Sequence, residues 1–558
     1  MSSINDLNKN GIFIKTQVGK YQAVIDAALA DLKSDRIIAR IWANDHTVWQ
    51  PDPAEIFNRL GWLDIAERMQ AAIPTLIALA ESLRWEGYQQ AVLLGMGGSS
   101  LAPEVFRKTF GLREGFLDLA VLDSTDPGAV LSLDKCLNLA HTLFIISTKS
   151  GTTTETLSFF KHFYNRVVEV LGSEHAGDHF IAITDPGSPL VGLANRYHFR
   201  ATFTNDPNIG GRYSALSYFG LVPAVLVGVD VARLLESAIS MTAECKSDDS
   251  PGGHLGVILG ELARAGRDKV TFILSAQIAS FGDWVEQLIA ESTGKSGKGI
   301  LPVVGEPPGP DSVYGSDRLF VSLQLPGDSP YEAALQALNA AGHPVLSMQL
   351  QDQYDLGEQF FLWELATAVA GYRLGIQPFD QPNVEAAKIL ARNMIIEFSR
   401  NGILPEIKPA ELSSAVLQSF LDQAMPGAYI AIQAYVQPST ATDQALLDLR
   451  LKLRERTCLA TTVGYGPRFL HSTGQLHKGD AGKGLFIQLT SQAVENVVIP
   501  DEAGQPDWTI TFNTLKSAQV LGDQQALLEA GRKVILFDLG ASITENIEKL
   551  NVLKDGLG

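Results

Sequence analysis

Short apolar runs alternate with amphipathic stretches along the middle of the chain, beginning near Gln89. Each run is followed by a turn and then by apolar residues at helical spacing. The runs before residue 190 are AVLL (91–94), LAVLD (119–123), LFIIS (143–147) and FIAIT (180–184). Because strands that alternate with helices form parallel sheets with helices on both faces, this pattern predicts an α/β fold.

The alternation starts again after the first set of strands and a third time near Gly427. The second set contains KVTFIL (269–274), RLFVSLQL (318–325), PVLSMQL (344–350) and a long helix over 357–374. The third begins with YIAIQAYV (429–436) and echoes the second at two places: FLHSTGQLHKG (469–479) is similar to LIAESTGKSGKG (288–299), and GLFIQL (484–489) to RLFVSLQL. We interpret the C-terminal region as a degenerate duplicate of the second set.

A chain of 558 residues is too long for one hydrophobic core, so several domains are expected. The polar stretch SDDSPGG (247–253) is the best candidate for a linker. The predicted division is an N-terminal helical region (1–60), a first α/β domain (61–246), a second (254–395) and a C-terminal α/β region (396–558).

Composition excludes several partners and compartments. A formal net charge of −18 argues against nucleic acid and anionic membranes as partners, and it requires any site for an anion to concentrate its own cations. Cys136, Cys245 and Cys458 show neither metal-ligand spacing nor a disulfide pattern, as expected in a reducing compartment. A polar start and the lack of an apolar run near ~20 residues favour a cytoplasmic protein.

The stretch LFIISTKSGTTTET (143–156) carries the most distinctive chemistry. Seven Ser and Thr residues surround Lys149, and Gly151 marks a bend between the strand and a following helix. Backbone N–H groups at a helix start, the helix dipole and the hydroxyls all favour an anion. One or two hydroxyls would indicate only an N-cap, but this density predicts a phosphate site.

GMGGSS (95–100) follows the strand AVLL and precedes another helix. Its spacing does not match the dinucleotide-binding fingerprint, and alone it indicates only a tight turn. Because successive strands of such a sheet open at one edge, Gly98 and Ser99 are expected to form a second wall of the anion pocket.

Three further motifs contain candidate reactive groups. In NIGGRYSALS (208–217), Arg212 follows two glycines and precedes a helix, where an immobile guanidinium could stabilise a phosphate or an enediolate. In DWVEQLIAESTGKSGKG (283–299), Gln287 and Glu291 share one helical face, with Lys295 and Lys298 as sources of positive potential. Taken alone, this pattern fits an exposed amphipathic helix. PFDQPNVEAAK (378–388) contains Gln381 and Lys388 and by itself indicates nothing.

These five motifs, in this order, resemble the phosphoglucose isomerase family, which is built on sugar isomerase (SIS) domains. The resemblance covers about residues 85–390, and RLGWL (59–63) and HSTGQLHKG also resemble the isomerase half of bifunctional transaldolase/phosphoglucose isomerase proteins. It implies two SIS domains with parallel, flavodoxin-like sheets in three αβα layers, followed by the C-terminal α/β region.

The family roles carry over by position. The resemblance implies that Glu291 moves the proton between C2 and C1, that Arg212 stabilises the cis-enediol(ate), and that Lys388 assists at the ring oxygen. Gln287 would orient the sugar and Gln381 would line the site. The phosphate-binding positions would be Gly98, Ser99, Thr148, Lys149, Ser150, Thr153 and Gly211. Aldose–ketose isomerisation needs no cofactor and no metal.

The chain departs from the family at the ring-opening histidine. The two stretches where it is expected read PGPDSVYGSD (308–317) and DLGEQFFLWE (355–364), and neither contains His. Some group must protonate the ring oxygen of a closed sugar. The sequence leaves open Lys388 acting with water, or His471 or His477 from the C-terminal region or from another subunit.

The function implied by the resemblance is glucose-6-phosphate isomerase in glycolysis and gluconeogenesis, acting as a homodimer on a phosphosugar. Two alternatives remain: a phosphosugar isomerase that also accepts mannose 6-phosphate, and a regulator that binds sugar phosphates without catalysis. The absent histidine favours the regulator, whereas the joint presence of Glu291, Arg212 and Lys388 favours the enzyme.

Overall fold

The computed structural model describes residues 5–9, 12–247, 249–328, 330–406, 408–492 and 495–551. Within these ranges no helix is both long and apolar enough to cross a membrane. The N-terminal elements are β1 (Asn5–Lys9), β2 (Ile12–Gln17), α1 (Gln22–Ser34), α2 (Ile37–Trp42), α3 (Ile65–Met69) and α4 (Ile73–Trp85).

The N-terminal region, which the sequence predicts as helical, also contains two strands ahead of its helices. β1 and β2 pair antiparallel, and β2 also pairs antiparallel with Val345–Gln349 of the second domain. Along β2, Ile14 and Thr16 are buried, with the period of two that a strand requires. The start of the chain thus extends the sheet of a domain that is more than three hundred residues distant in sequence.

The first unit is a five-stranded parallel sheet in the order β4-β3-β5-β6-β7, with helices on both faces. This is the flavodoxin-like order, so the predicted fold class is confirmed here. Its elements are β3 (Gln90–Gly95), α5 (Leu101–Phe110), β4 (Asp118–Leu122), α6 (Pro127–Cys136), β5 (Thr142–Ser147), α7 (Thr154–Leu171), α8 (Ser173–Ala176), β6 (Phe180–Thr184), α9 (Pro189–Arg196), β7 (Ala201–Thr204), α10 (Tyr218–Leu226) and α11 (Val231–Glu244).

The second unit has the strand order β11-β10-β8-β9, extended by β2 and β1 beyond β11. Its helix α15 is buried along most of its length, in a core continuous with that of the first unit. The elements are α12 (Pro251–Arg264), β8 (Lys269–Leu274), α13 (Phe281–Thr293), β9 (Leu301–Val303), β10 (Arg318–Gln324), α14 (Glu332–Ala340), β11 (Val345–Gln349) and α15 (Leu356–Leu374), followed by α16 (Val384–Asn401) and α17 (Ser414–Leu421).

The last three of the seven residues in the predicted linker 247–253 belong to helix α12. The Ser250 hydroxyl accepts a hydrogen bond from the Gly253 amide at 3.1 Å, and Pro251 occupies the first position of α12. Gly252 lies against Leu365 of α15, where a Cβ would come within 3.0 Å of that side chain. Small residues therefore serve close helix packing at the start of α12, and the predicted linker lies between α11 (Val231–Glu244) of the first unit and the strands of the second.

The C-terminal unit is a four-stranded parallel sheet in the order β13-β12-β14-β17. Numbered along the chain, its strands follow the same 2-1-3-4 order as the second unit, which supports the interpretation as a duplicate. The elements are β12 (Tyr429–Tyr435), α18 (Thr440–Thr457), β13 (Ala460–Tyr465), α19 (Gly474–Gly479), β14 (Gly484–Thr490), β15 (Val498–Pro500), β16 (Trp508–Thr511), α20 (Phe512–Glu529), β17 (Lys533–Asp538) and α21 (Ile543–Asn551).

Only one of the two sequence echoes agrees with this topology. GLFIQL and RLFVSLQL both form the third strand of their sheets. The STG segments are not equivalent, because 288–299 lies between the first and second strands and 469–479 between the second and third. These two segments contact each other instead: Gln475 Nε2 donates to the Gly294 carbonyl at 2.8 Å.

Candidate active site

A cavity of about 490 Å³ lies at the carboxyl ends of β3 and β5. The chain reverses its direction across the sheet between these two strands, and open α/β sheets bind ligands at such a switch point. We call this the site cavity. It is lined by the following residues that the sequence singled out: Gly98, Ser99, Thr148, Lys149, Ser150, Thr153, Gly211, Arg212, Gln287, Glu291, Gln381, Lys388 and His471.

The hydroxyl-rich loop connects β5 to α7. Gly151 has a positive φ of 68°, and a Cβ there would approach the Leu190 amide nitrogen to 2.8 Å, so the bend requires glycine. The Thr148 and Thr153 hydroxyls are 2.7 Å apart. Thr153 is the N-cap residue of α7, but its side chain makes no capping hydrogen bond. Its hydroxyl therefore serves the cavity wall and not the helix end.

Gly98 has a packing role as well as a place in the cavity wall. A Cβ on Gly98 would lie 2.0 Å from the Gly211 carbonyl oxygen, so the loop after β3 and the loop carrying Arg212 touch through their backbones. The Ser147 hydroxyl donates to the Ser99 carbonyl at 3.2 Å and joins the first loop to the end of β5. Any side chain at Gly98 would push the loop after β3 away from the loop that carries Arg212.

Lys149 lies beside the phosphate loop but is already paired. Its ammonium forms a close ion pair with Asp185 and donates to the Pro207 carbonyl at 2.9 Å. The Asp185 carboxylate therefore neutralises the positive charge of Lys149, which the sequence analysis expected at the anion site. Backbone amides and hydroxyls remain as the main groups of this wall that can donate hydrogen bonds to a phosphate.

Arg212 is held immobile at the centre of the cavity. It is 3% exposed, and its guanidinium donates to the Ser292 hydroxyl at 2.8 Å, the Pro378 carbonyl at 2.6 Å and the Asp380 carbonyl at 3.1 Å. One further nitrogen lies 3.1 Å from Glu291 Oε1. Backbone acceptors and one carboxylate thus aim a fixed positive charge at the cavity.

The Glu291 carboxylate is presented by the last turns of α13. Its second oxygen accepts from Gln287 Nε2 at 3.1 Å, and Gln287 also donates to the His471 carbonyl at 2.7 Å. The Arg212 nitrogen that faces Glu291 also donates to Gln381 Oε1 at 3.1 Å. The predicted spacing of Gln287 and Glu291 on one helical face therefore produces a direct contact that orients the carboxylate.

The two lysines after Glu291 differ from expectation. Lys295 is buried and bonds Asp380 through its carbonyl at 2.6 Å and its carboxylate at 2.7 Å. Burial and, to a smaller extent, the charge of Arg212 lower the pKa of Lys295 to about 8, against the opposing effect of Asp380. Lys298 does not line the site cavity and donates instead to the Leu374 carbonyl at 2.5 Å. It is no source of potential for this site.

Lys388 reaches the site cavity from α16. Its ammonium lies 3.3 Å from Glu385 Oε1, and its side chain is one-third exposed. Its charge is also one of the influences that lower the pKa of Glu155.

His471 enters the site cavity from the C-terminal unit of the same chain. Its Nε2 lies 3.2 Å from Glu155 Oε1, which also accepts from Gln519 Nε2 at 2.8 Å. Burial opposes ionisation of Glu155, but the charge and hydrogen bond of His471 outweigh it and lower the pKa of this carboxyl. A carboxylate–imidazole pair thus lines the cavity, within hydrogen-bonding reach of a bound ligand.

Arg468 anchors the turn that carries His471. Its guanidinium forms a close ion pair with Glu104 and lies 3.4 Å from Asp123 and 3.6 Å from Asp283. These carboxylates come from both the first and the second unit. The turn is therefore fixed to both units by one side chain from the C-terminal unit.

His477 does not line the site cavity and is therefore no longer a candidate for ring opening. It is 2% exposed, its Nδ1 lies 3.2 Å from Gln433 Nε2, and its ring packs on Phe486 with centroids 5.0 Å apart. Burial lowers its pKa well below the ordinary value. α19 directs this side chain into the interior of the C-terminal unit, away from the site cavity.

Glu155 and Gln519 are site residues that sequence reasoning missed. Glu155 stands inside the hydroxyl-rich motif, but an acidic residue in the first turn of a helix is ordinary dipole compensation and draws no attention. Gln519 lies in α20 and has no motif around it. In the described ranges no group of three or more His, Cys, Asp or Glu side chains could hold a metal ion.

Comparisons with known proteins agree with this geometry. Residues 64–296 match the sequence model of the family described as Phosphoglucose isomerase. A glucose-6-phosphate isomerase of Streptococcus pyogenes serotype M28 is 27% identical over 417 residues, which cover 64% of this chain and 90% of that protein.

Two solved structures show the same fold. One is a glucose-6-phosphate isomerase from Chlamydia trachomatis, with a TM-score of 0.59 and 18% identity over 75% of this chain and 93% of that one. The other is a hypothetical protein from Thermus thermophilus, with a TM-score of 0.58 and 24% identity over 68% of this chain and 99% of that one. Residues 64–296 are therefore similar to phosphoglucose isomerase, and 64% of the chain is similar to a glucose-6-phosphate isomerase.

Proposed function

We propose that the protein is a glucose-6-phosphate isomerase that interconverts glucose 6-phosphate and fructose 6-phosphate through a cis-enediol(ate). The observation that carries this proposal is the Glu291–Arg212 pair, 3.1 Å apart, in one cavity with the hydroxyl-rich loop. A carboxylate base beside a fixed guanidinium suits proton transfer next to a carbonyl. The loop supplies the anchor for a phosphate on the far end of the sugar.

The proton transfer uses one base in both directions. Glu291 removes the proton from C2 of the open-chain aldose, the C–H electrons form the C1–C2 double bond, and the charge that develops on O1 is offset by Arg212. Returning the proton from Glu291 to C1, with transfer of the O2 proton to O1, gives the ketose. Gln287 holds the carboxylate in place through its 3.1 Å hydrogen bond.

Ring opening is assigned to His471. The imidazole delivers a proton to the ring oxygen while the anomeric hydroxyl loses one to water, which breaks the C1–O5 bond and forms the carbonyl. The hydrogen bond to Glu155 at 3.2 Å orients the ring for this step. Lys388 shares the cavity and is placed to assist at the same oxygen. Because His471 belongs to the same chain, this assignment requires no second subunit.

The direct test is a coupled assay with purified protein and fructose 6-phosphate, run in parallel with mannose 6-phosphate. Conversion of fructose 6-phosphate to glucose 6-phosphate supports the proposal. Comparable turnover of mannose 6-phosphate would favour the broader phosphosugar isomerase. Tight binding of either sugar phosphate without turnover would favour the non-catalytic regulator and contradict the proposal.

Thr153→Val should weaken substrate binding without slowing the chemical step. We expect KM to rise by roughly 10-fold to 100-fold with kcat within about twofold, because a hydrogen bond to a charged group contributes about 1.5–3 kcal/mol. Since the Thr153 side chain does not cap α7, the helix should keep its stability. Steady-state kinetics and a melting curve check both statements. A selective loss of kcat at saturating substrate would refute the proposal that this loop binds the substrate and takes no part in proton transfer.

The domain boundaries and the cytoplasmic location remain predictions from the sequence pattern and composition. The homodimer and the role in glycolysis and gluconeogenesis remain predictions from the resemblance. Analytical ultracentrifugation of the purified full chain decides the oligomeric state. A monomer with full activity would agree with the single-chain origin of His471.

A further inference from the structure

A second cavity, of about 370 Å³, lies where the second unit meets the C-terminal unit. We call it the junction cavity. Its walls include Lys269 at the start of β8, the glycine-rich segment 297–299 after α13, Tyr429 at the start of β12, and Lys483 before β14. None of its lining residues lines the site cavity. It is therefore a separate recess with its own chemistry.

The charges in the junction cavity do not cancel. Its two carboxylates have cationic partners: Asp268 Oδ1 lies 2.6 Å from Lys269 Nζ, and Asp480 Oδ1 lies 3.0 Å from Arg532. Lys298 and Lys483 line the same cavity, are both exposed, and form no ion pair with any residue that the structure describes. The Lys298 ammonium donates to the Leu374 carbonyl at the end of α15. Two uncompensated ammonium groups remain in a chain of net charge −18.

A buried donor adds to these charges. Tyr429 is 3% exposed, and its hydroxyl neighbours the Asp480 carboxylate. Burial and this carboxylate raise the pKa of the hydroxyl well above its ordinary value, so Tyr429 keeps its proton as a hydrogen-bond donor at the wall of the junction cavity.

The floor of the junction cavity is bonded to the groups around Arg212. Lys295 and Lys298 exchange backbone hydrogen bonds at 3.0 Å, and the Gly297 amide donates to the Gly479 carbonyl at 3.0 Å. The Lys295 ammonium donates to the Asp380 carbonyl, which also accepts from Arg212. A ligand that moves Lys298 therefore acts on the segment from Lys295 to Lys298. Two hydrogen bonds, both to the Asp380 carbonyl, link this segment to the Arg212 guanidinium.

We propose that the junction cavity is a regulatory site for a small polyanion carrying phosphate or carboxylate groups. Lys298 and Lys483 bind its charged oxygens, and the Tyr429 hydroxyl donates to a further one. Binding there reaches the isomerase centre through the segment from Lys295 to Lys298. The regulatory role rests on the proposed isomerase function, whereas the binding itself does not.

The test compares the full-length protein with Lys298→Ser/Lys483→Ser by isothermal titration calorimetry. Inorganic pyrophosphate probes the phosphate source and citrate the carboxylate source. We expect at least one probe to bind the wild type and to bind the variant about tenfold more weakly or worse, because two charge-assisted contacts are lost. Lys33→Ser/Lys452→Ser removes two exposed lysines elsewhere and should bind as the wild type does.

Thr153→Val distinguishes probe binding in the junction cavity from probe binding in the site cavity, because this change weakens only the hydroxyl-rich loop of the site cavity. Binding that persists in Thr153→Val and falls in the lysine variant supports the junction cavity. Equal binding by wild type and lysine variant, or no binding of either probe, overturns the site.

Kinetics test the regulatory role. The probe should change kcat or KM for fructose 6-phosphate in the wild type beyond the competitive inhibition that remains in Lys298→Ser/Lys483→Ser. If calorimetry shows the site and the two proteins respond identically in the assay, the site binds but does not regulate. A wild type without isomerase activity would contradict the isomerase proposal. The calorimetric result would still show whether the junction cavity binds a polyanion.

Discussion

Glu291→Gln is expected to abolish isomerisation while the protein still binds sugar phosphate. The amide keeps the shape of the carboxylate and its contact with Gln287, but it cannot accept the C2 proton. General acid–base catalysis contributes about 10²–10⁴-fold, so kcat should fall by about 10³-fold, with little change in affinity. Solvent deuterium should exchange into C2 of the substrate with the wild type and not with the variant.

The matched control for this change is Glu286→Gln on the same helix. Glu286 precedes Gln287 and lines a different, small recess together with Gln433 and His477. Burial raises the pKa of Glu286 to about 8, with a further contribution from Asp283, so its carboxyl is already mainly protonated at neutral pH and resembles an amide. This variant should exchange deuterium at the wild-type rate. Wild-type exchange by Glu291→Gln would remove Glu291 from the mechanism.

His471→Ala is expected to block ring opening, the second large effect. Opening and reclosing the ring interconverts the two anomers of glucose 6-phosphate, and this needs no proton transfer at C2. Enzyme-catalysed anomer exchange, followed by NMR exchange spectroscopy, should fall by about 10²-fold in His471→Ala and persist in Glu291→Gln. Glu155→Gln should lower the same rate by a smaller factor, because it removes the charge that orients the imidazole at 3.2 Å.

His477 supplies the control for the histidine experiment. It lies six positions further along the chain and is buried against Gln433 and Phe486. His477→Gln should lower thermal stability and leave anomer exchange unchanged in the folded protein. Normal anomer exchange by His471→Ala would instead assign ring opening to Lys388 acting with water.

The hydroxyl-rich loop, Arg212 and Glu291 could be recognised from the sequence as candidate site residues because each belongs to a short continuous motif. In each, the order strand, turn, helix fixes where the side chains point, and glycine positions mark the tight bends. The parallel sheet of the first unit was predictable for the same reason, since its apolar runs alternate regularly with amphipathic helices.

Other features depended on contacts between distant parts of the chain. β2 pairs with a strand of the second unit, and its own short pattern gave no sign of that partner. The Pro and Gly residues at 251–253 carry the composition of a linker, yet they begin a helix because α15 packs closely against them. Lys149 looked available for phosphate until folding brought Asp185 beside it.

By itself, the sequence of this protein determined a parallel α/β fold and the local parts of the site cavity, because strand alternation, glycine bends and helical spacing act over a few residues. Only the tertiary structure decided which histidine reaches that site and what it meets there. His471 and Glu155 are 316 residues apart in the chain, and their contact arises when the C-terminal unit packs its turn over the first sheet. Such a contact depends on the packing of whole units, which no local pattern encodes.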